Sequence, residues 1–153
     1  MGIEASFSIE DVRGRFNDFL EEVQNMQIEI AQELGEMCVT HARSIPFEQG
    51  FQDQTGNLRS SIGYTVFVDG IAIHSVYNEV KGGTIGVAKG KELAAKVGER
   101  TKGVCLVVTA GMNYALHVES RGRDVIASAE QMAERELPRM LAELSRNIKQ
   151  ASE

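Results

Sequence analysis

The segment Gly86-Val87-Ala88-Lys89-Gly90-Lys91-Glu92 has the outline of a phosphate-binding loop. In such a loop, backbone amides and a lysine surround the phosphates, and a following Ser or Thr binds magnesium. Here the spacing is one residue short, and Glu92 takes the place of the hydroxyl. A carboxylate there would repel a phosphate, so nucleotide binding is not expected. The histidines are His41, His74 and His117. Cys38 and His41 are three apart on a predicted helix and share a face, whereas His117 and Glu119, two apart, do not. No set of three or four ligands falls at zinc-like spacing. No Gly-x-Ser-x-Gly elbow is present. The acids Glu21, Glu22, Asp69 and Glu79 fit solvated faces and turns. The sequence therefore predicts no catalytic residue, no metal and no cofactor, and a protein that is not an enzyme.

Composition narrows the classes further. A chain of 153 residues suits one domain, which can bury roughly two-thirds of its unfolded surface without staples. Its 42 % hydrophobic and 25 % charged residues argue for a folded domain rather than a disordered one. The net charge of −6 and pI near 5.2 disfavour nucleic acid, because phosphate neutralisation needs a basic face. Lys89, Lys91 and Lys96 are interspersed with acids. Cys38 and Cys105 both sit in apolar runs and read as small buried hydrophobes, which suits a reducing compartment. No stretch approaches the ~20 apolar residues of a membrane span. Met1 to Asp11 carries acids and lacks a basic-then-apolar leader, so no signal peptide is expected.

The elements are read from periodicity. Ser8 and Asp11 are placed for a capping box. Apolar residues then recur at Ile9, Val12, Phe16, Phe19, Val23, Met26, Ile30, Leu34 and Met37, in steps of three and four. Pro46 stops the run. A helix from Ser8 to Ser44 would be about 55 Å long at 1.5 Å per residue. A domain of this size has a radius of gyration of roughly 15 Å, so such a helix would overhang its core. Either it breaks, at Gly14 or Gly35, or its overhang meets another chain. Phe16, Phe19, Val23 and Met26 are then a candidate oligomer seam.

Residues 44–54 read as a polar loop. The alternation around Asp69-Gly70 predicts a hairpin over Gly63–Tyr77. Val80–Gly90, with four glycines, reads as a flexible excursion or an irregular crossing, followed by a helix over about Lys91–Thr101. Val104–Ala110 reads as a central strand. Asn113 starts a short helix carrying Tyr114 and Val118, Arg121–Arg123 turns, and Asp124–Ile126 forms a brief strand. Ser128 with Gln131 caps a last helix to about Lys149, kinked or split at Pro138. The order predicts an α+β fold: a long N-terminal helix, a small mainly antiparallel sheet with a β-hairpin, and a C-terminal helix. It is one domain, with the helix over 1–45 and the core over 46–153.

Two segments carry a resemblance. Thr55-Gly56-Asn57-Leu58-Arg59-Ser60-Ser61-Ile62 resembles the T-G-x-L-R-x-S-I segment of the tail-completion, or head–tail joining, proteins of tailed bacteriophages. Tyr114-Ala115-Leu116-His117-Val118-Glu119 resembles that family's Y-A-x-x-V-E segment, although Ser120-Arg121-Gly122 stands where the family often has Gly-Thr. The resemblance implies a structural virion part of phage or prophage at the head–tail junction, made in the bacterial host cytoplasm. Its partners would be copies of itself, in a ring, and other neck and tail proteins, with no small-molecule substrate. Arg59 and Glu119 each become a candidate for an ion pair with another copy within the ring. Locally, Asn57 reads as a cap, and Leu58 with Ile62 as a buried pair. A competing reading is a small module that binds a peptide or ligand through its sheet, with Val80–Gly90 as its mobile loop.

Overall fold

The computed structural model describes residues 8–45, 55–112 and 124–152, together with Gly2 and Ala115. Helix α1 spans Ile9–Ser44, unbroken at either glycine. Its start is the expected capping box. Ser8 Oγ accepts from the Asp11 amide at 3.1 Å, and the Ser8 amide donates to Asp11 Oδ2 at 3.0 Å. Its end is set by Ile45, which is extended (φ −62°, ψ 122°) as the residue before a proline tends to be. Gly35 does not break the helix, because it lets the backbone lie against the ring of Tyr64.

The short helix α2 (Asn57–Ser60) leads into strand β1 (Ile62–Val68), which turns back as β2 (Ile71–Tyr77). Asp69 and Gly70 have φ of 50° and 80°, the left-handed pair that a tight type I′ hairpin requires. Pairing steps from Val66↔His74 to Phe67↔Ala72, so Ile73 is the extra residue of a β-bulge. Helix α3 (Thr84–Gly98), strand β3 (Val104–Ala110) and helix α4 (Ala127–Ala151) follow among the described residues. The sheet is antiparallel, in the order β2-β1-β3. The class is α+β, as the sequence predicts.

Successive residues of β1 point to opposite faces. Tyr64 and Val66 join Leu34, Cys38, Val39 and Met140 in the main core, under α1 and α4. Phe67 packs with Ala94 of α3 and Val107 on the other face. Helix α4 runs antiparallel to α1. His41 meets Ser128 at one end, and Met26 and Ile30 share a groove with Met140 and Leu144 further along.

Several expectations are corrected. β3 is an edge strand and β1 the central one. β3 is apolar because α1 and α3 cover its two faces, not because it has two neighbours. The Gly-rich stretch is helical from Thr84, neither a flexible excursion nor an irregular crossing to Gly90. Gly86, Gly90, Ala94 and Gly98, each four apart, form the buried face that α3 lays on the sheet. Asp124–Ile126 is not a strand. Asp124 Oδ1 accepts from the Ser128 amide at 3.2 Å, so Asp124 does the capping expected of Ser128. Pro138 does not split α4. It is exposed, as is Glu134, whose carbonyl has no proline amide to receive and can turn to water. The polar loop before Gln54, the helix through Tyr114 and Val118, and the Arg121–Arg123 turn lie outside the described residues.

Candidate functional site

Helix α1 has two unlike halves. Every fully buried residue on it lies at or after Ala31. The N-terminal half continues the same apolar row, but in water. Ile9 is 75 %, Val12 49 %, Phe16 60 % and Leu20 49 % exposed. Of the predicted seam, Phe16 is exposed, whereas Phe19, Val23 and Met26 are half-buried. Met26 lines the groove between α1 and α4 with Ile30, Met140 and Leu144. The overhang is thus accompanied for part of its length by α4 of the same chain, a third outcome beside breakage and a partner chain. Leu20, not part of the predicted seam, extends the exposed row one turn beyond Phe16.

The Thr-Gly-Asn-Leu-Arg segment forms a corner where three elements meet. Gly56 is left-handed (φ 77°) and packs against the Val80 carbonyl. Asn57 caps a helix other than its own. Its Oδ1 accepts from the Gly86 amide, in the first turn of α3, at 3.2 Å. Leu58 and Ile62 are buried, as expected. Ser60 Oγ accepts from the Val80 amide at 2.7 Å, and Ser61 Oγ donates to Leu58 O at 2.6 Å. Arg59 turns toward the end of α1, where Nη1 donates to Arg43 O at 2.8 Å and Nη2 to Ile45 O at 3.4 Å. It supplies donors to carbonyls left over at a helix C-terminus. Arg43 returns the contact through Nη2, which donates to Arg59 O at 3.1 Å. Glu119, the other residue expected to form an ion pair between copies, lies outside the described residues.

A search for relatives found none. No family model, curated protein or solved structure matches the chain.

The remaining polar groups fall on separate elements. Tyr64 OH donates to Glu36 Oε1 at 2.8 Å and lies 3.2 Å from His74 Nε2. His41 Nε2 is 2.8 Å from Ser128 Oγ. Among the described residues no three His, Cys, Asp or Glu side chains gather as a metal site would require. No described helix is long and apolar enough to cross a membrane. Gly86–Glu92 lies inside α3, where Lys89 and Lys96 flank Glu92 in exposed pairs at 3.5 and 3.3 Å. A cavity of about 360 Å³ opens between α1, α4 and β3, lined by Leu34, Cys38, Leu106, Val108 and Ala133 with Glu130 at its side.

Burial gives a pH prediction. It raises the Cys38 thiol above its ordinary 9.0, and it raises the hydroxyls of Tyr64 and Tyr77 above 10.0. Tyr64 is held up further by its bond to Glu36 and that carboxylate's charge. The unfolded chain therefore releases these protons first. Their contribution to stability is whole below pH 9 and falls as pH rises past it. Urea midpoints are expected to be level from pH 7 to 8.5 and to drop steadily above 9. A midpoint that held constant to pH 11 would contradict this.

Proposed function

We propose that this chain is a structural component of a tailed phage or prophage virion, joining head to tail as a homo-oligomeric ring. The observation that carries the reading is the α1 row of Ile9, Val12, Phe16 and Leu20. It prolongs the core face of the helix past its own core and stands in water. Scattered exposed apolar residues are ordinary, but a continuous row on a projecting helix marks a contact surface. The two sequence segments that resemble those of head–tail joining proteins suggest the setting of that contact. The Arg59 corner supports the reading in a second way. The motif positions from Gly56 to Ser61 fix the relation of α1, β1 and α3, and so hold the arm at a set angle to the sheet.

The test is the solution mass of the purified chain by light scattering over a wide concentration range, with images of the same fractions. A discrete multimer is expected. Burying Val12 and Phe16 is worth roughly 3 kcal/mol together, so Val12→Ser with Phe16→Ser is expected to weaken assembly at least ~100-fold. A monomer at every concentration would remove self-association from the reading. The cavity beside β3 favours a second reading, a module that takes a small apolar ligand against its sheet. Thermal stabilisation by such ligands, in a chain that stays monomeric, would favour it.

A further inference from the structure

A closed ring needs two different patches on each copy, one meeting the other head to tail. The α1 row supplies one patch, and α3 supplies the second. Its buried face is the row of small residues on the sheet, but Ile85, Leu93 and Val97 are 59 %, 39 % and 51 % exposed. With Lys89 they step by four along one flank of the helix. The two rows differ in charge. Over residues 9–29, α1 carries six acids, among them Glu10, Asp18, Glu21 and Glu22, against Arg13 and Arg15. Over 84–102, α3 and its exit carry Lys89, Lys91, Lys96, Arg100 and Lys102 against Glu92 and Glu99.

Resting on the self-assembly reading above, we propose that the acidic α1 arm of one copy docks its Ile9–Leu20 row on the basic outer flank of α3 in the next copy. The two rows cannot meet within one chain, because α1 and α3 lie on opposite faces of the sheet. Pairing α1 with α1 across a two-fold axis would set six acids beside six acids, which costs affinity and slows encounter. Pairing α1 with α3 covers both apolar rows, joins opposite charges and leaves each copy with a free end for the next.

The experiment mixes two full-length chains in a Cys105→Ala background, which leaves only the buried Cys38. One carries Phe16→Cys and the other Val97→Cys, and a short bismaleimide links them. A covalent heterodimer joined through positions 16 and 97, formed at least tenfold more than either homodimer, is the expected result. Position 16 linked to itself as readily would overturn the pairing in favour of a two-fold dimer. A multimer by light scattering with no 16-to-97 link would overturn the pairing and leave the ring reading standing. A monomer at every concentration would overturn both. A second measurement uses charge. Lys96→Glu with Arg100→Glu is expected to weaken assembly at least tenfold, and Glu21→Lys with Glu22→Lys in the same chain to restore most of it. Unchanged assembly in the first variant, or no recovery in the second, would overturn the role given to charge.

Discussion

Gly90→Val is expected to destabilise the fold by about 3 kcal/mol or more, while Gly14→Ala is expected to stabilise it by about 0.5–1 kcal/mol. Both glycines lie inside helices, so propensity alone would favour either change. The surroundings decide the sign. A Cβ on Gly90 would sit 2.5 Å from Tyr77 Cε1 and 2.6 Å from Ser61 O. Ser61 O is backbone at the entry to β1. The Tyr77 ring is tethered, with its hydroxyl 2.7 Å from Thr109 Oγ1, and Thr109 Oγ1 donates in turn to Gly90 O at 3.3 Å. Neither neighbour can step aside, so α3 must lift from the sheet and open the Phe67–Ala94–Val107 core. A Cβ on Gly14 meets nothing within 4 Å. Urea titrations of both variants against the parent chain make the check. A Gly90→Val midpoint equal to the parent's would mean that α3 does not lie flush on the sheet.

That same glycine shows why part of the fold escapes sequence reading. Each glycine inside a helix costs about 1 kcal/mol against alanine, so a run of them reads as loop. The compensation is close approach to a sheet lying elsewhere in the chain, which no local rule measures. The signal was present as spacing, since Gly86, Gly90, Ala94 and Gly98 fall on one face. By contrast, both ends of α1 were legible, because Ser8, Asp11 and Pro46 act on their immediate neighbours. The hairpin was legible for the same reason, from Asp69-Gly70 and the alternation beside it. The bulge at Ile73 was not, since it depends on register across strands.

The candidate site divides along the same line. The apolar row on α1 is a matter of periodicity and could be read directly. Which of its turns meet water depends on where the sheet and α4 give out, so Met26 and Phe16 looked alike in sequence and differ in the fold. The resemblance pointed to Arg59. Its place at the end of α1 depends on carbonyls at Arg43 and Ile45, which precede it by 16 and 14 residues. Asn57 was readable as a cap, but the helix it caps begins well downstream, at Thr84.

Arg43→Met is expected to cost about 3 kcal/mol, or roughly 10 °C in melting temperature for a domain of this size. Methionine keeps much of the stem and removes the charge and donors. Arg43 Nη2 donates to Arg59 O at 3.1 Å, Ile62 O at 3.0 Å and Asn78 O at 2.7 Å. Two N–H groups thus serve three carbonyls, drawn from α2, the start of β1 and the residue after β2. Ile62 and Asn78 lie side by side at the open end of the β1–β2 ladder, and Arg43 ties both of them to α2 and to the end of α1. The arrangement has an internal cost. Its Nε is buried with no hydrogen-bond partner among the described residues. Burial, and after it the nearby Arg59 charge, hold the guanidinium below the ordinary arginine pKa. Losing it would leave three carbonyls without this donor, two of them partly buried, and an unmet acceptor screened from water costs more than an average bond contributes. Arg43→Lys is expected to recover less than half of the loss, since one compact ammonium lacks the planar fork of donors that Arg43 presents. Thermal melts of the two variants read this directly. If Arg43→Met melted with the parent chain, water would be satisfying these carbonyls, and the corner would owe its rigidity to Arg59 and the packing of Leu58 and Ile62.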